Sequence, residues 1–388
     1  MKICILTPRF PFPENGGDVL RINHIAQYLK SKGHQLCLVS YSEYIYPDID
    51  TAVALYDAVY WCKISRWKAY CYSLLYFLVG KPLQCGYYYS SRYKKILKHA
   101  IDMEKPDIFV SHLLRMSPYL EKLGVTDKSV VEMTDALSRT YSTSEKASSF
   151  SLFKYIYRIE RSRIKKYEAQ VVQKFPKVVL VSGQDIDYLK TFCHEGASSL
   201  SLHTNGVICL PHPDDKYDPR KICFVGNMRT LQNQDAVFRF VENVFPRILR
   251  EIPDVKLYIV GAQVKKNIYE LASENIVITG YVDNMSDIIK NSCLAIAPIY
   301  IGAGIQNKVL VSMACGLPIV MTSLTAYAIP QLVNGENCMI EDNYDTFAQA
   351  VLSLMKNPDL RNSIATAGYK MVQEHYNWNQ KLEGYLDW

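Results

Sequence analysis

The sequence has few of the features that mark secreted, zinc-binding or membrane-spanning proteins. Its eleven cysteines are scattered singly and no two of them form a CxxC pair, so neither a zinc knuckle nor a disulfide framework is indicated. The longest strongly apolar stretch, Ala69–Val79, is far shorter than the ~20 residues that a membrane-spanning helix needs. The first residues, MKICILTP, predict a buried strand and contain no signal-peptide pattern. We therefore expect a protein of the reducing cytosol with no membrane span.

Acidic residues are missing from residues 61–100. This stretch has eight Lys or Arg, two Trp and seven Tyr, and no Asp or Glu. Basic residues mixed with Trp and Tyr suit an anionic membrane surface, where the rings lie at headgroup depth. The alternative is a solvated basic face over an aromatic core. Because the net charge is only +6 and no RNA-binding motif accompanies the aromatics, we expect no nucleic-acid partner.

Short apolar runs alternate with longer amphipathic segments along the chain, which is typical of parallel α/β domains. The 388 residues are 49% hydrophobic and 21% charged, enough for two cores. Apolar residues recur at helical spacing over Asp235–Leu249, which predicts a helix there. The predicted strands are Lys2–Leu6, Gln35–Ser40, Val59–Lys63, Ile108–Ser111, Val130–Met133, Val178–Val181, Ile222–Val225, Leu257–Val260, Val277–Thr279, Leu294–Ala297 and Ile319–Met321.

A segment rich in Pro, Asp and Gly, at residues 205–219, separates the two halves of the chain. We predict a first Rossmann-like domain over residues 1–210 and a second over residues 211–375. Residues 376–388 are predicted to form a C-terminal helix that packs back on the first domain. In this α/β architecture two doubly wound domains face each other across a cleft, and ligands bind beyond the carboxyl ends of the strands.

Two glycine-containing loops are candidates for binding an anion or a sugar. Gly16 and Gly17 follow the first strand and precede an amphipathic helix, whose free backbone amides can bind an anion. The loop is not GxGxxG, so a nicotinamide cofactor is not expected. Residues 297–322 read APIYIGAGIQNKVLVSMACGLPIVMT, a strand, a small-residue loop, a helix from about residue 306 and a second strand. Lys308 adds a cation where a first-turn Lys opposes the helix dipole, which favours phosphate binding over a structural role.

This segment resembles the nucleotide-sugar motif of glycosyltransferase family 4, whose members are two-domain GT-B enzymes, in the branch that reads GAGIQNK. Other landmarks of that family run through nearly the whole chain. The stretches that resemble them are residues 130–142, 159–172, 203–207, 224–240, 258–262 and 278–298. The resemblance implies retaining transfer of a sugar from a nucleotide-sugar donor to a hydroxyl group, with no metal and no separate cofactor.

The resemblance, with the residues themselves, assigns site residues in both domains. The predicted donor-binding residues are Gly16, Gly17, Gly226, Asn227, Tyr281, Val282, Gly302, Ala303, Gly304, Ile305, Gln306, Asn307 and Val311. The predicted catalytic residues are His112, Asp135, Arg229 and Lys308. Arg229 and Lys308 would stabilise the leaving diphosphate, where charge develops in the transition state.

The chain departs from the usual family pattern at four positions. The two Glu of the family motif are replaced by Ala303, as throughout the GAGIQNK branch, and by Val311. Val311 cannot accept a hydrogen bond from the ribose, as the Glu does in the family. The places of the family's Arg and Lys after the donor-domain glycine fall on Asn227 and Asn233. These departures favour the alternative function, a catalytically degenerate GT-B subunit that assists an active partner.

Three acidic or histidine positions follow predicted strands of the first domain. His112 ends one strand, where the family often has a His near the donor sugar; the alternative is that it caps a backbone group. Asp135 ends the next, and it either binds the acceptor hydroxyl or caps the following helix. The Asp185-Ile186-Asp187 triplet resembles a metal-binding DxD, but helix capping explains it better, so no metal is expected.

The leading hypothesis is a hexosyltransferase that builds a bacterial surface polysaccharide such as capsule or O-antigen. Its acceptor would be a glycan or a lipid-linked saccharide, and it would work as a peripheral protein on the cytoplasmic face of the cell membrane. A GT-B sugar-nucleotide epimerase is not favoured, because it needs paired carboxylates and a His around one sugar and the sequence shows no such trio.

Overall fold

The computed structural model describes the chain apart from residues 15, 45–46, 148–150, 211–216, 283–284 and 302–306, and for residues 143–147 and 151–154 it describes the backbone. The chain divides into two compact units. The first contains Met1–Thr204 and Leu382–Trp388, and the second contains Asn205–Lys381. The predicted boundary at residue 210 lies inside the second unit. The predicted C-terminal helix is short, Trp378–Lys381, and belongs to the second unit, whereas the residues after it belong to the first.

The first unit contains a seven-stranded parallel sheet in its described part. The strand order is β3-β2-β1-β4-β5-β6-β7. Its strands are β1 Lys2–Thr7, β2 Gln35–Ser42, β3 Ala58–Lys63, β4 Ile108–His112, β5 Ser129–Thr134, β6 Lys177–Leu180 and β7 Leu200–Leu202. The central strands are buried along their length, as continuous apolar runs in a two-sided sheet predict.

Helices connect these strands in the right order for a doubly wound domain. They are α1 Gly17–Ser31, α2 Ile49–Leu55, α3 Arg66–Leu78, α4 Leu83–Tyr87, α5 Ser91–Glu104, α6 Ser117–Leu123, α7 Leu137–Ala147, α8 Ser151–Lys174 and α9 Gly183–Lys190, with 3₁₀ turns at Leu114–Met116, Thr126–Lys128 and Ala197–Ser199. Strand β1 lies between β2 and β4. The chain adds β2 and β3 on one side of β1 and then crosses to the other side, where it adds β4 to β7. Ligands of such sheets bind at this switch point, beyond the carboxyl ends of the strands.

The second unit repeats the plan with a six-stranded parallel sheet in its described part, ordered β10-β9-β8-β11-β12-β13. Its strands are β8 Asp218–Val225, β9 Lys256–Val260, β10 Ile276–Gly280, β11 Ser292–Ala297, β12 Ile319–Met321 and β13 Met339–Ile340. Its helices are α10 Leu231–Arg239, α11 Phe245–Glu251, α12 Lys266–Tyr269, α13 Met285–Lys290, α14 Asn307–Ala314, α15 Ser323–Ala326, α16 Tyr344–Lys356, α17 Pro358–His375 and α18 Trp378–Lys381. The switch point lies between β8 and β11.

The predicted fold class, two Rossmann-like α/β domains, is confirmed. The predicted helix Asp235–Leu249 is interrupted, because a π-helical turn at Phe240–Val244 separates α10 from α11. Pro246 explains the interruption, since it has no N–H to donate to the preceding turn.

A buried ion pair joins four separate parts of the first unit. The Arg21 guanidinium, on α1, donates to both carboxylate oxygens of Glu132 on β5, at 2.9 and 3.1 Å. It also donates to the carbonyl oxygen of His203 at 2.8 Å. The Tyr385 hydroxyl donates to Glu132 at 3.1 Å, so the segment Leu382–Trp388 completes the hydrogen bonding of this carboxylate. Burial and the Glu132 charge raise the pKa of Tyr385 far above its usual value, which keeps the hydroxyl a donor.

Candidate functional site

Lys308 lies at the switch point of the second unit and has no acidic partner in the described part of that unit. It is the second residue of α14, which follows β11. Its ammonium group donates to the amide oxygen of Asn233 and lies 4.7 Å from the ring centre of Phe224. Burial lowers the pKa of Lys308 to about 7. An anion that binds beside this lysine would favour its charged form and raise its pKa again.

Gly226 and Asn233 hold this lysine in place. Asn233 is buried, and its amide nitrogen donates to the carbonyl oxygen of Asn227 at 2.9 Å. A Cβ atom on Gly226 would lie 2.6 Å from the same nitrogen, so only glycine allows the two to approach. Although Asn233 stands where the family has a cation, in this chain it positions the remaining cation, Lys308.

Three glycines lie at the carboxyl edge of neighbouring strands, and Gly226 among them is half-buried while the other two are buried. Gly226 follows β8, Gly261 follows β9 and Gly280 ends β10. A Cβ atom on Gly261 would lie 1.9 Å from the Gly226 carbonyl oxygen. The amide of Gly226 donates to Val260 at 2.9 Å and that of Gly261 donates to Gly280 at 3.2 Å, which fixes the edge. Because these positions have no side chains, the main chains of neighbouring strands lie close together there, and a ligand can approach the main chain at the half-buried Gly226.

The other described donor-site candidates of the second unit differ in exposure and in their contacts. Tyr281 follows Gly280 and is 61% exposed, whereas Val282 and Val311 are half-buried and pack on one apolar cluster. The Asn227 side chain accepts from the amide of Arg229 at 2.9 Å. Asn307 accepts from Asn205 at 3.0 Å.

Arg229 keeps its guanidinium exposed, and no hydrogen bond or ion pair engages that group within the described ranges. It is therefore available to a phosphate. Five predicted residues, Gly302, Ala303, Gly304, Ile305 and Gln306, lie outside the described residues.

His112 is an unsatisfied polar group at the switch point of the first unit. It ends β4 and is 2% exposed, and neither ring nitrogen has a hydrogen-bond partner in the part of the chain that the structure describes. The alternative that it caps a backbone group is therefore not observed. Burial, followed by the charges of Arg21 and Arg115, lowers its pKa well below the usual value. His112 is neutral at pH 7, and a buried unpaired nitrogen costs about 1–3 kcal/mol until a ligand binds it.

Two arginines near His112 were not predicted from the sequence. Arg115, in the 3₁₀ turn after β4, lies 5.0 Å from the ring centre of Tyr88, and its Nε is buried without a partner among the described residues. Arg9 follows β1 and pairs with Asp18. Their positions in the sequence could have indicated them, because both arginines closely follow the carboxyl ends of strands. Arg115 is three residues after His112, the last residue of β4, and Arg9 is two residues after the end of β1.

Asp135 follows β5 and carries a raised pKa. Its side chain is partly accessible to solvent. Desolvation by the surrounding protein, and then the charge of Asp185, raise the pKa of Asp135 to about 6. The helix-capping alternative for Asp135 is not observed at Ser138, whose amide and hydroxyl donate to Glu168 at 3.1 and 2.5 Å. Asp135 therefore keeps its carboxylate for other partners.

The remaining predicted features of the first unit are a glycine pair and an acidic triplet. Gly16 has a φ of 122°, and a Cβ atom there would lie 2.9 Å from the Arg9 guanidinium. Gly17 begins α1 with open space around it. In the triplet at residues 185–187, Asp185 lies in the first turn of α9 and pairs with Arg139 at 2.9 Å. Within the described ranges, no group of three or more His, Cys, Asp or Glu is placed to hold a metal ion.

Residues 219–357, which run from β8 to α16, match the protein family described as Glycosyl transferases group 1. The sequence of this stretch is therefore similar to those of group 1 glycosyltransferases. Over its whole length the chain has the GT-B fold. The structure superposes on that of Anabaena HepE in complex with UDP-glucose with a TM-score of 0.68, over 100% of this chain and 99% of that one, at 13% identity.

Two curated relatives match the sequence over different shares of its length. The chain is 25% identical over 401 residues to an uncharacterized 44.6 kDa protein in the cps region of Klebsiella pneumoniae, covering 97% of this chain and 96% of the relative. It is 26% identical over 190 residues to a poly(glycerol-phosphate) alpha-glucosyltransferase of Bacillus subtilis, covering 44% of this chain and 27% of the relative. Together these comparisons support glycosyltransferase activity.

Proposed function

We propose that the protein is a retaining, metal-independent hexosyltransferase of the family 4 type, in the GAGIQNK branch. It transfers a sugar from a nucleotide-sugar donor to a hydroxyl group of a glycan or lipid-linked saccharide. The observation that carries this proposal is the half-buried Lys308 ammonium, which has no carboxylate partner among the described residues and lies at a switch point edged by glycines. A cation in that setting suits the diphosphate of a sugar nucleotide, and HepE, a structural neighbour, was solved with UDP-glucose.

In this mechanism the second unit binds and activates the donor. Charge develops on the diphosphate oxygen as the glycosidic bond breaks, and fixed positive groups at that oxygen stabilise the transition state. Lys308 and Arg229 supply the charges, and the backbone at Gly226 lets the diphosphate approach. The departing diphosphate oxygen accepts the proton of the attacking hydroxyl, so no protein nucleophile is needed.

The first unit contributes polar groups that sugars can use. The neutral ring of His112 donates to or accepts from a sugar hydroxyl, which would satisfy at least one of its two unpaired nitrogens. Asp135, with a pKa of about 6, is largely ionised at pH 7 and orients an acceptor hydroxyl.

The cellular role that we propose is the synthesis of a bacterial surface polysaccharide at the cytoplasmic face of the membrane. The relative in the cps region and the poly(glycerol-phosphate) glucosyltransferase support a polymer of the cell surface. In the part of the chain that the structure describes, no helix combines the length and apolar character that a bilayer crossing requires.

Donor binding by the Lys308→Ala variant tests this function. A panel of sugar nucleotides, starting with UDP-glucose, is added to the wild type, and thermal shift identifies the donor. A donor at 100 times its Kd adds about 2.7 kcal/mol to the free energy of unfolding. Loss of a charge-assisted bond, worth about 1.5–3 kcal/mol, should weaken donor binding in Lys308→Ala by roughly 10- to 150-fold. The matched control is Lys256→Ala, an exposed lysine at the opposite, amino-terminal end of β9, and it should bind as the wild type does.

Release of nucleoside diphosphate from the identified donor then measures turnover. Equal donor affinity in the wild type and Lys308→Ala would remove Lys308 from the site. Failure of every sugar nucleotide to bind the wild type would favour the second candidate, a degenerate GT-B subunit that assists an active partner. The observation that favours it is the apolar, half-buried Val311, which offers a ribose no hydrogen bond.

A further inference from the structure

Helix α3 turns a broad apolar face to solvent. Of its thirteen residues, only Ala69 and Tyr76 are buried. The large exposed side chains on α3 and at its C-terminus are Trp67 (78% exposed), Leu78 (71%), Val79 (68%), Tyr70 (62%), Leu74 (59%) and Leu75 (55%). An amphipathic helix of a soluble domain normally shows the reverse pattern, with apolar residues inward and charged residues outward.

Five of these six exposed residues form one continuous surface on the helix. At 3.6 residues per turn, the positions from Tyr70 through Leu74, Trp67 and Leu78 to Leu75 span an arc of about 140° without a charge inside it. Arg66 and Lys68 lie at the two edges of that arc. Patches of contiguous exposed apolar residues on soluble proteins mark sites of contact with a protein or a membrane.

A basic cavity adjoins the C-terminal end of this helix. It has a volume of about 420 Å³, and Val79 and Gly80 form part of its wall. The charged residues that line it are Lys81, Glu121, Lys122, Arg163, Lys166 and Lys174. Five cations therefore face one carboxylate.

The carboxylates near this cavity neutralise only some of the cations. Glu121 pairs with Lys174 at 2.9 Å and accepts from the Tyr167 hydroxyl at 2.6 Å. Arg163 lies 3.5 Å from Glu160 and 4.0 Å from the ring centre of Phe77. Lys122 lies 3.7 Å from the ring centre of Tyr89, a cation–π contact, and among the described residues it forms no ion pair.

We propose that α3 lies in the interface of an anionic bilayer and that the basic cavity binds the phosphate headgroup of an anionic phospholipid. The apolar arc reaches the headgroup–acyl boundary, as the outward face of an interfacial helix does. Trp67 and Tyr70 suit the headgroup level, and the flanking cations meet anionic lipid. The combination of an uninterrupted apolar arc and a cation-rich cavity at its end favours a lipid surface over a protein partner.

The structure narrows the membrane prediction made for residues 61–100. The tyrosine run at 87–89 is half-buried and packs inward, with Tyr89 stacked on Tyr119 at 5.2 Å between ring centres. Those rings belong to an aromatic core, so α3 and the basic cavity carry the membrane contact. The proposal rests on the proposed function only in assuming an acceptor at a membrane, and lipid binding tests it whether or not sugar transfer occurs.

Co-sedimentation with liposomes tests this proposal on the full chain. Vesicles of phosphatidylcholine alone are compared with vesicles that also contain the anionic lipid phosphatidylglycerol, which attracts basic segments. The wild type should sediment with the anionic vesicles and should largely stay in the supernatant of the neutral ones. High salt should weaken but not abolish binding, because burial of the apolar arc is not screened.

Two double variants separate the contributions of the helix and the cavity. Trp67→Ser with Leu78→Ser removes apolar residues that are exposed, so folding is preserved, and it should abolish the binding that persists at high salt. Lys122→Glu with Lys166→Glu should weaken binding to anionic vesicles by about 30-fold or more, from about 1 kcal/mol for each cation lost. The matched control is Lys256→Glu with Lys266→Glu, which makes the same change of charge on exposed lysines of the second unit and should bind as the wild type does.

Three outcomes would overturn the proposal. Equal sedimentation of the wild type and both test variants would remove α3 and the cavity from the contact. An equal loss in the control variant would reduce the effect to net charge. Concentration-dependent dimers that disappear in the Trp67→Ser and Leu78→Ser variant, without lipid binding, would make the helix a protein interface. In each case an unchanged thermal shift with the donor nucleotide shows that the proposed function stands independently.

Discussion

Donor binding should become weaker as the pH rises from 6 to 8, because Lys308 must be charged to bind a diphosphate. In the free protein its pKa is about 7, so the lysine is mostly charged at pH 6 and mostly neutral at pH 8. A bound diphosphate favours the charged form and raises the pKa in the complex. Donor binding at pH 6 therefore needs little proton uptake, whereas donor binding at pH 8 must add a proton to Lys308.

The size of the effect follows from the distance between the pH and the pKa of the free lysine. At pH 8 about one molecule in eleven carries a protonated Lys308, so the apparent Kd rises about tenfold, or about 1.4 kcal/mol, relative to pH 6. Proton uptake should be about 0.9 per donor bound at pH 8 and about 0.1 at pH 6. The diphosphate of a sugar nucleotide is esterified at both ends and does not titrate in this range.

Isothermal titration calorimetry measures both quantities, when the donor is titrated in buffers of different ionisation enthalpy. Lys308→Arg is the matched control, since a guanidinium stays charged throughout this range and its profile should be flat. Asp135, with a pKa of about 6, and Glu168, with a pKa of about 7, also titrate here, and both are unchanged in the control. A flat profile in the wild type, or an equal slope in Lys308→Arg, would refute the assignment of the titrating group.

Three further substitutions test other parts of the structure. Gly226→Ala should displace Asn233 and weaken donor binding by at least about tenfold, the cost of roughly one hydrogen bond to a charged group, by calorimetry; normal affinity would show that the close approach is dispensable. Val311→Glu should strengthen sugar-nucleotide binding if the ribose lies beside α14, and a drop in affinity would place the ribose elsewhere. Glu132→Ala leaves Arg21 buried without its counter-charge and should lower the free energy of unfolding by about 3–5 kcal/mol in urea, whereas a change below 1 kcal/mol would mean that water enters the site.

Much of the fold could be predicted because each buried parallel strand corresponds to a continuous apolar run in the sequence. The eleven predicted strands are all present, and the two that were missed, β7 and β13, are too short to give a periodic signal. The π-helical turn before α11 was missed because apolar spacing continues through it, although Pro246 was visible in the sequence.

The site was harder to predict, because its key contacts join residues that are distant in sequence. The contact between Lys308 and Asn233 spans 75 positions, and it depends on the missing side chain of Gly226. By analogy, Asn233 was interpreted as the loss of a cation, and only the structure shows that it positions another. Likewise, an apolar helix has the same sequence pattern whether it is buried or exposed. The exposure of the apolar face of α3 could therefore not be derived from the sequence.

The contact between Tyr385 and Glu132 sets an order for biosynthesis. Translation delivers Arg21 and Glu132 early, then the whole second unit, and only afterwards the tyrosine that completes their hydrogen bonding. The first unit therefore reaches its final packing after the second has been made, although most of its sequence comes first. A nascent or truncated chain that stops before Tyr385 leaves the buried carboxylate one donor short and opens the position that the ring fills. We therefore expect a chain truncated before Tyr385 to unfold at a lower urea concentration than the 388-residue chain, although it lacks only the last few residues.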